Sequence, residues 1–499
     1  MPTRRTVLQA ALAGGAVAAF SGTLGGLRAA VAAGTVPTRK TLNNMPLNDP
    51  DLSAYRDFVG IMQGYDQSKL VSWLGFSLQH GNAETEEFKY CPHGDWYFLP
   101  WHREYVVMYE RAVRELTKSP NFAMPYWDWT VDRAFPAAFD DPTYNGKPNP
   151  LYVADRTVKN RMNWPLSSTI VGPEVMQKIY SETDFQLFGT SKNPDQDDLD
   201  PKWVPAGGGT QGTLERTPHN TVHNYTGGFM PSAGSPRDPI FMMHHGNIDR
   251  IWATWNAMGN SNLAGMDAPT QNLWLNMNFK DNYISPTGTL YSKMPKDLQS
   301  TTALGYTYSG LPQASKIVYD AERAKRLLSL FAAGSGVRSV ESVQVLATPN
   351  TDAATPDKPL VKRAQLKKSV RNLVMAESAP AKRTPEVYAL IKHIKVPPAV
   401  DAIRIFVNAD NLTASTPDTD PHFVTQISFL RHGGHGDHGG HGKEDPSALV
   451  DLTPTLRALS KAGALKDDTI SLQIIATRRE GVTEGSTEVV PAIVEIAVL

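Results

Sequence analysis

Cysteine occurs once in this 499-residue chain, as Cys91, so no disulfide can form within it. An excess of one charge is also missing. With 49 Lys and Arg against 50 Asp and Glu, the formal net charge is -1, which gives no electrostatic reason to expect nucleic acid or anionic lipid as a partner. The apolar stretch from Ala10 to Phe20 is too short for a membrane span. It follows Thr3-Arg4-Arg5-Thr6-Val7-Leu8 and precedes Ala30-Val31-Ala32, the pattern of a twin-arginine signal peptide over 1–33. That leader implies export to a periplasmic or secreted location with no membrane anchor once it is removed. An exported chain usually pairs its cysteines, so the lone thiol needs another explanation.

Histidine is sparse, and its placement is informative. Only seven of the 13 histidines fall in the first 300 residues, and six of these form two groups: His80, His93 and His102, then His219, His223 and His245. In P-H-N-T-V-H, His219 and His223 are four residues apart, so on a helix both rings leave one face. Three neutral imidazoles without carboxylate or thiolate suit copper, zinc, iron or nickel, and the affinity order favours copper. Two such groups imply a pair of ions. A single histidine on an apolar helix face is ordinarily a hydrogen-bonded core residue; paired spacing sets these six apart. The seventh, His244, points about 100° away from His245 on a helix. His245 continues the stripe of Phe241, Ile248 and Trp252, which leaves His244 a structural role beside the site.

The length implies two or three domains. To about residue 260 the chain reads as helical. Asp49-Pro50 starts a helix through Tyr55, Phe58, Val59 and Met62; Leu70 to His80 is a second, closed by Gly81; Pro100 opens a third; Asp238-Pro239 opens a fourth that ends at Gly259. The core-facing stripes of the third and fourth carry His102 and His245, and facing helices of a bundle are where metal sites are built.

The segments C-P-H-G-D-W-Y-F-L-P-W-H-R and D-P-I-F-M-M-H-H-G-N-I-D-R resemble the two copper-binding signatures of the tyrosinase, catechol oxidase and haemocyanin family of type 3 copper proteins. The resemblance covers roughly residues 45 to 310, ends at a Tyr306-Thr307-Tyr308 motif, and is nearest to bacterial tyrosinases with a C-terminal extension. It implies two copper ions per chain, one on His80, His93 and His102 and one on His219, His223 and His245. Cys91 is similar to the cysteine that, in some members, forms a thioether with the second ligand, here His93; otherwise it is a small buried thiol. Glu215 and Asn220 resemble a glutamate and asparagine that hold a water able to deprotonate the phenol, whose ordinary pKa is about 10. Glu215 equally suits the positive end of the His219 helix. Phe241 resembles an aromatic residue that orients the substrate ring, and it also fits the core stripe. Asp249 and Arg103 read as ion-pair residues behind the ligands.

The implied reaction is ortho-hydroxylation of monophenols such as tyrosine and oxidation of o-diphenols to o-quinones with O2. The alternatives are a catechol or o-aminophenol oxidase without monophenolase activity, and an O2-binding haemocyanin-like protein. A dizinc hydrolase would usually bring carboxylate ligands. Partners are then a small phenol and O2, without nucleic acid.

The last third has a different texture. Lys316 to Phe331 reads as an amphipathic helix and 348–385 as a Pro-, Lys- and Ala-rich linker. Val- and Ile-rich runs at Tyr388 to Val396, Ala402 to Val407, Phe423 to Leu430, Thr469 to Ala476 and Val489 to Leu499 fit an antiparallel β-sandwich. The expected fold is therefore a multi-domain chain: leader 1–33, a mainly α catalytic domain with a four-helix bundle over 34–312, helix and linker 313–385, and a C-terminal β-sandwich 386–499. In several relatives such a domain covers the copper site. Between its runs, R-H-G-G-H-G-D-H-G-G-H-G carries His432, His435, His438 and His441, a compositional metal-binding signal in a glycine-rich loop.

Overall fold

The computed structural model describes residues 36–157, 166–193, 208–313, 318–332, 348–349, 352–366, 368, 372, 385–431, 445–465 and 468–499. The expected leader and the histidine-rich stretch 432–441 lie outside the described residues. No described helix is long and apolar enough to cross a membrane.

Helix α1 (Pro50–Gly64) starts as its sequence requires: the Asp49 side chain accepts from Asp51 N, Pro50 fills the first turn, and Leu52, Tyr55, Phe58, Val59 and Met62 are buried. Helix α2 (Phe98–Leu116) packs against α1, and the seven-residue α3 (Asn220–Thr226) leads through a turn to α4 (Ile240–Ala257), which lies against α2. Both α2 and α4 are buried along most of their length, because they form the centre of a cluster that includes Trp101, Trp127, Trp129, Trp252, Trp255 and Trp274. Each such side chain contributes roughly 1.5–3 kcal/mol or more through burial.

The expected helix over Leu70 to His80 is reduced to one turn, Trp73–Ser77. His80 Nδ1 is tied to Ala233 O at 2.6 Å, and Gly81–Asn82 immediately pairs with Glu87–Phe88, so the chain is drawn off the helical path. Before α3, Glu215–His219 forms a wide π turn containing Pro218. Proline has no N–H for the regular helical ladder, which favours such an irregularity. Among the described residues, the long helices of this half are α1, α2 and α4, with short segments between them.

Among the short strands of the first half, β1 (Thr38–Arg39) pairs in parallel with β3 (Thr307–Tyr308), and β2 is Thr210–Gln211. Helix α5 (Ala321–Ala332) begins later than Lys316. Then follow β4 (Thr348–Pro349), β5 (Leu360–Gln365), β6 (Val387–Lys395), β7 (Val400–Val407), β8 (Phe423–Ser428), β9 (Ser447–Asp451), helix α6 (Thr453–Lys461), β10 (Thr469–Arg478) and β11 (Val490–Val498). One sheet has the order β4-β11-β6-β9-β2, the other β5-β10-β7-β8. Ala389, Ile391, Val450, Val494 and Ile496 of the first share a buried cluster with Ile403, Ile405, Ile427, Leu472 and Ile474 of the second. All pairs are antiparallel except β9 with β2.

Strand β5 corrects the linker reading of 348–385. Leu360 to Gln365 pairs with all of Thr469 to Ile474, and only Leu360 and Ala364 of it are buried. Arg363 is exposed and Lys362 half-buried, so composition alone resembles a linker.

The halves meet along the π turn and α3 and, separately, at Thr169. Thr217 Oγ1 donates to Gln426 O at 2.9 Å, Asn220 Nδ2 to Ser428 O at 2.8 Å, and Thr169 Oγ1 to Asp418 Oδ2 at 2.7 Å. On another side, Arg323 of α5 bridges Glu182 at 3.0 Å and Glu386 at 3.1 Å.

Candidate metal centre

The sequence-defined histidines converge. His80 ends the turn after Trp73–Ser77, His93 precedes α2, His102 lies in its second turn, His219 closes the π turn, His223 lies on α3 and His245 on α4. Donor atoms of His80, Cys91, His93 and His102 lie within 4.8 Å of one another, as do those of His219, His223, His244 and His245. All are buried except His93, which is half-buried. The two groups face each other: the His102 and His245 rings stack at 4.3 Å, and His93 and His219 lie 5.7 Å apart.

Most rings are held through Nδ1, which leaves Nε2 for a metal. His80 Nδ1 pairs with Ala233 O at 2.6 Å, His102 Nδ1 with Phe98 O at 2.8 Å, His219 Nδ1 with Asn220 Oδ1 at 2.8 Å, and His223 Nδ1 with Met230 O at 2.6 Å. Buried Nε2 of His80 and of His219 have no hydrogen-bond partner. Orphaned buried nitrogens are costly unless a ligand takes them. Burial, reinforced by neighbouring imidazoles, pushes His80, His219 and His245 well below the usual histidine range, and burial brings His223 down to about 4 and His102 to about 3. Neutral imidazole is the form that binds metal. The donor set therefore fits copper.

His244, expected to have a structural role beside the site, lies against its rings. Its ring lies 5.3 Å from His219 and 4.8 Å from His223, and Trp129 Nε1 donates to its Nδ1 at 3.1 Å. His245 Nε2 lies 3.3 Å from His223 Nε2. The residues that frame the space are Phe241, stacked 4.1 Å from His245 and 5.2 Å from His80, and Phe98, 4.9 Å from His102 and 4.7 Å from His219. Phe98 was not singled out in the sequence, although it lies four residues before His102 on the same helical face.

Cys91 Sγ lies 3.5 Å from His93 Nδ1, 3.8 Å from its Nε2 and 3.2 Å from His102 Nε2. Burial, with Glu215 nearby, pushes this thiol well up, opposite to the lowering a metal would bring. The Glu215 carboxylate accepts from Gly94 N at 2.8 Å, from Gln211 Nε2 at 3.3 Å and from Thr190 Oγ1. Burial raises it to about 7 against the lowering effect of those donors.

Behind the histidines, Asp249 accepts from Arg103 Nε at 2.5 Å, Arg39 Nη1 at 2.9 Å, Tyr306 OH at 2.6 Å and Tyr308 OH at 2.7 Å. Arg39 also holds Glu110 through Nε and Nη2, each at 3.0 Å. Arg103 and Asp249, each read as an ion-pair residue, pair with one another; Arg39 and Glu110 are additions that no local motif signals.

Residues 68–258 match the family model described as the common central domain of tyrosinase. A tyrosinase of Hahella sp. is 28% identical over 468 residues, covering 88% of this chain and 91% of that protein. Grixazone synthase of Streptomyces griseus is 30% identical over 258 residues, covering 42% of this chain and 79% of that protein. Among solved structures, latent apple tyrosinase superposes with a TM-score of 0.60 at 20% identity, covering 93% of this chain and 97% of that one.

Proposed function

Because the chain belongs to the tyrosinase family of copper-dependent phenol-oxidising proteins, we propose that it ortho-hydroxylates monophenols such as tyrosine and oxidises o-diphenols to o-quinones with O2. Six imidazoles would hold two copper ions, one on His80, His93 and His102 and one on His219, His223 and His245. The observation that carries this reading is the stacking of His102 on His245 at 4.3 Å, which sets two buried imidazole clusters face to face. Copper bound there would supply O2 binding and the exchange of electrons with the phenol.

The protein's own residues do the rest. Phe241 and Phe98 wall the space with aromatic faces and exclude water, and Phe241 orients the phenol ring. The phenol must lose a proton with an ordinary pKa of about 10. Glu215 and Asn220 would hold the water that accepts it. The test is oxygen uptake by copper-loaded protein on a monophenol and on its matching o-diphenol; uptake on neither overturns the proposal.

A second reading, an oxidase of o-diphenols without monophenolase activity, draws support from Asn220. Its Oδ1 serves His219 and its Nδ2 serves Ser428 O, so its amide is engaged at both ends in the full chain. Activity on the diphenol alone would select this reading.

Three finer readings accompany the first. The C-terminal sheets form a sandwich that covers the centre, supported by the contacts along α3 and by complete burial of His219 and His223. Cys91 Sγ bonds to His93 Cε1, supported by its distances of 3.5 and 3.8 Å to the flanking ring nitrogens; the S–H and C–H hydrogens leave as two protons and two electrons, which O2 accepts. The chain is exported by the twin-arginine route, on the strength of Arg4-Arg5 and the apolar stretch after it.

A further inference from the structure

The oxygens that orient the imidazoles are not evenly distributed. His102 is held within its own helix by Phe98 O. Three others depend on one stretch of chain: His219 on the Asn220 side chain, His223 on Met230 O and His80 on Ala233 O. Residues 220–233 therefore set two donors of one cluster and one of the other.

That stretch has little regular structure of its own. Helix α3 has seven residues, and the chain turns through Gly227 and Gly228 at φ of 72° and 57°, values that favour glycine and leave the backbone freer than an α-helix would.

Within its own half it is held at Tyr225 to Gly227 by Arg156 and Thr157; the rest of its support comes from the C-terminal half. Ser428 O accepts from Asn220 Nδ2 at 2.8 Å, and Ser428 Oγ pairs with Thr221 Oγ1 at 2.8 Å. Asn224 Nδ2 donates to Asp401 O and Phe429 O, each at 3.0 Å. Arg431 N donates to Pro231 O at 2.6 Å, and Arg431 Nη2 to Gly228 O at 2.7 Å. Pro231 lies between Met230 and Ala233, the residues whose carbonyls hold His223 and His80.

We propose that residues 428–431 of the C-terminal half are a positioning clamp for the metal centre: by gripping 220–231 they hold three imidazoles in their metal-binding orientation. The role is distinct from covering the entrance, since it acts on retention of the metal even without substrate. It rests on the copper reading above.

The test is copper loss from loaded full-length protein to an excess of a strong chelator. Arg431→Ala removes the side-chain grip on Gly228 and leaves the backbone bond to Pro231; Asn224→Ala removes both bonds to Asp401 and Phe429. Thr169→Ala is the control, since its bond to Asp418 also joins the two halves but touches no stretch that orients a histidine. Partners that orient metal-bound imidazoles contribute about 10–100-fold in affinity, so the expected change is about tenfold faster copper loss in Arg431→Ala and Asn224→Ala. Thr169→Ala should release copper at the wild-type rate. Wild-type rates in both clamp variants, or equal acceleration in Thr169→Ala, overturn the clamp while leaving the copper centre intact. A wild-type chain that takes up no copper overturns the centre itself, and the clamp with it. Arg431→Ala, the milder change, decides the matter if Asn224→Ala does not fold.

Discussion

Replacing Asp249 by Asn tests how the ligand-bearing helices are held. Asp249 is buried on α4 and accepts four hydrogen bonds, two from guanidinium groups. Asn keeps the shape but loses the charge and turns an amide N–H toward donors. Arg39 retains both oxygens of Glu110, whereas Arg103 keeps only Leu298 O at 2.9 Å and the face of Trp252 at 3.5 Å. Arg103 is therefore the charge left uncompensated. Breaking a buried pair in this way costs about 3–5 kcal/mol. For a domain of about 250 residues this lowers the unfolding midpoint by roughly 6–20 °C. Lys40→Ala, which removes an exposed pairing with Asp49 and Asp51, is the comparison and should cost less than about 1 kcal/mol. Burial alone would raise the Asp249 carboxyl, but Arg103 and Arg39 outweigh it and hold it below the usual range. A depressed carboxyl contributes stability above its unfolded pKa of about 3.9, and that stability is lost as pH falls through the folded value. The gap between wild type and Asp249→Asn, followed by scanning calorimetry, should narrow below about pH 4. A loss no larger than that of Lys40→Ala, or a gap independent of pH, refutes the reasoning.

Three further outcomes follow from the centre. His245→Ala should lower bound copper from two ions to one by elemental analysis, whereas His244→Phe should keep two; the reverse pattern would exchange their roles. Intact mass of copper-loaded, air-exposed protein should be two hydrogens below the sequence value, and Cys91→Ser should remove that deficit; a full-mass wild type eliminates the thioether. A chain ending at Leu311, before α5 and every strand of the two large sheets except β2, should oxidise a diphenol faster per bound copper if the sheets cover the site, and at an unchanged or lower rate if they do not.

Local signals carried what was legible in the sequence. The four-residue spacing of His219 and His223, the Asp49 cap and the Phe241-His245-Trp252 stripe each rest on helix geometry and reappear in the structure. The misreadings share a long-range cause. Residues 70–80 have helical spacing, but pairing of Gly81–Asn82 and the bond from His80 to Ala233 pull the chain away. Leu360 to Gln365 has few apolar residues, and its partner strand lies more than a hundred positions on. His244, read as structural beside the site, is held against the cluster by Trp129. The carbonyls of Met230, Ala233 and Ser428 are main-chain groups, so no residue type announces them.

The central claim is copper-dependent oxidation of phenols at the paired histidine clusters. Oxygen consumption on a monophenol and its matching o-diphenol, measured for the same protein loaded with copper and with zinc, tests it most directly. Uptake with formation of o-quinone from both substrates, with copper only, is the result predicted. No uptake with copper, or equal uptake with zinc, contradicts it.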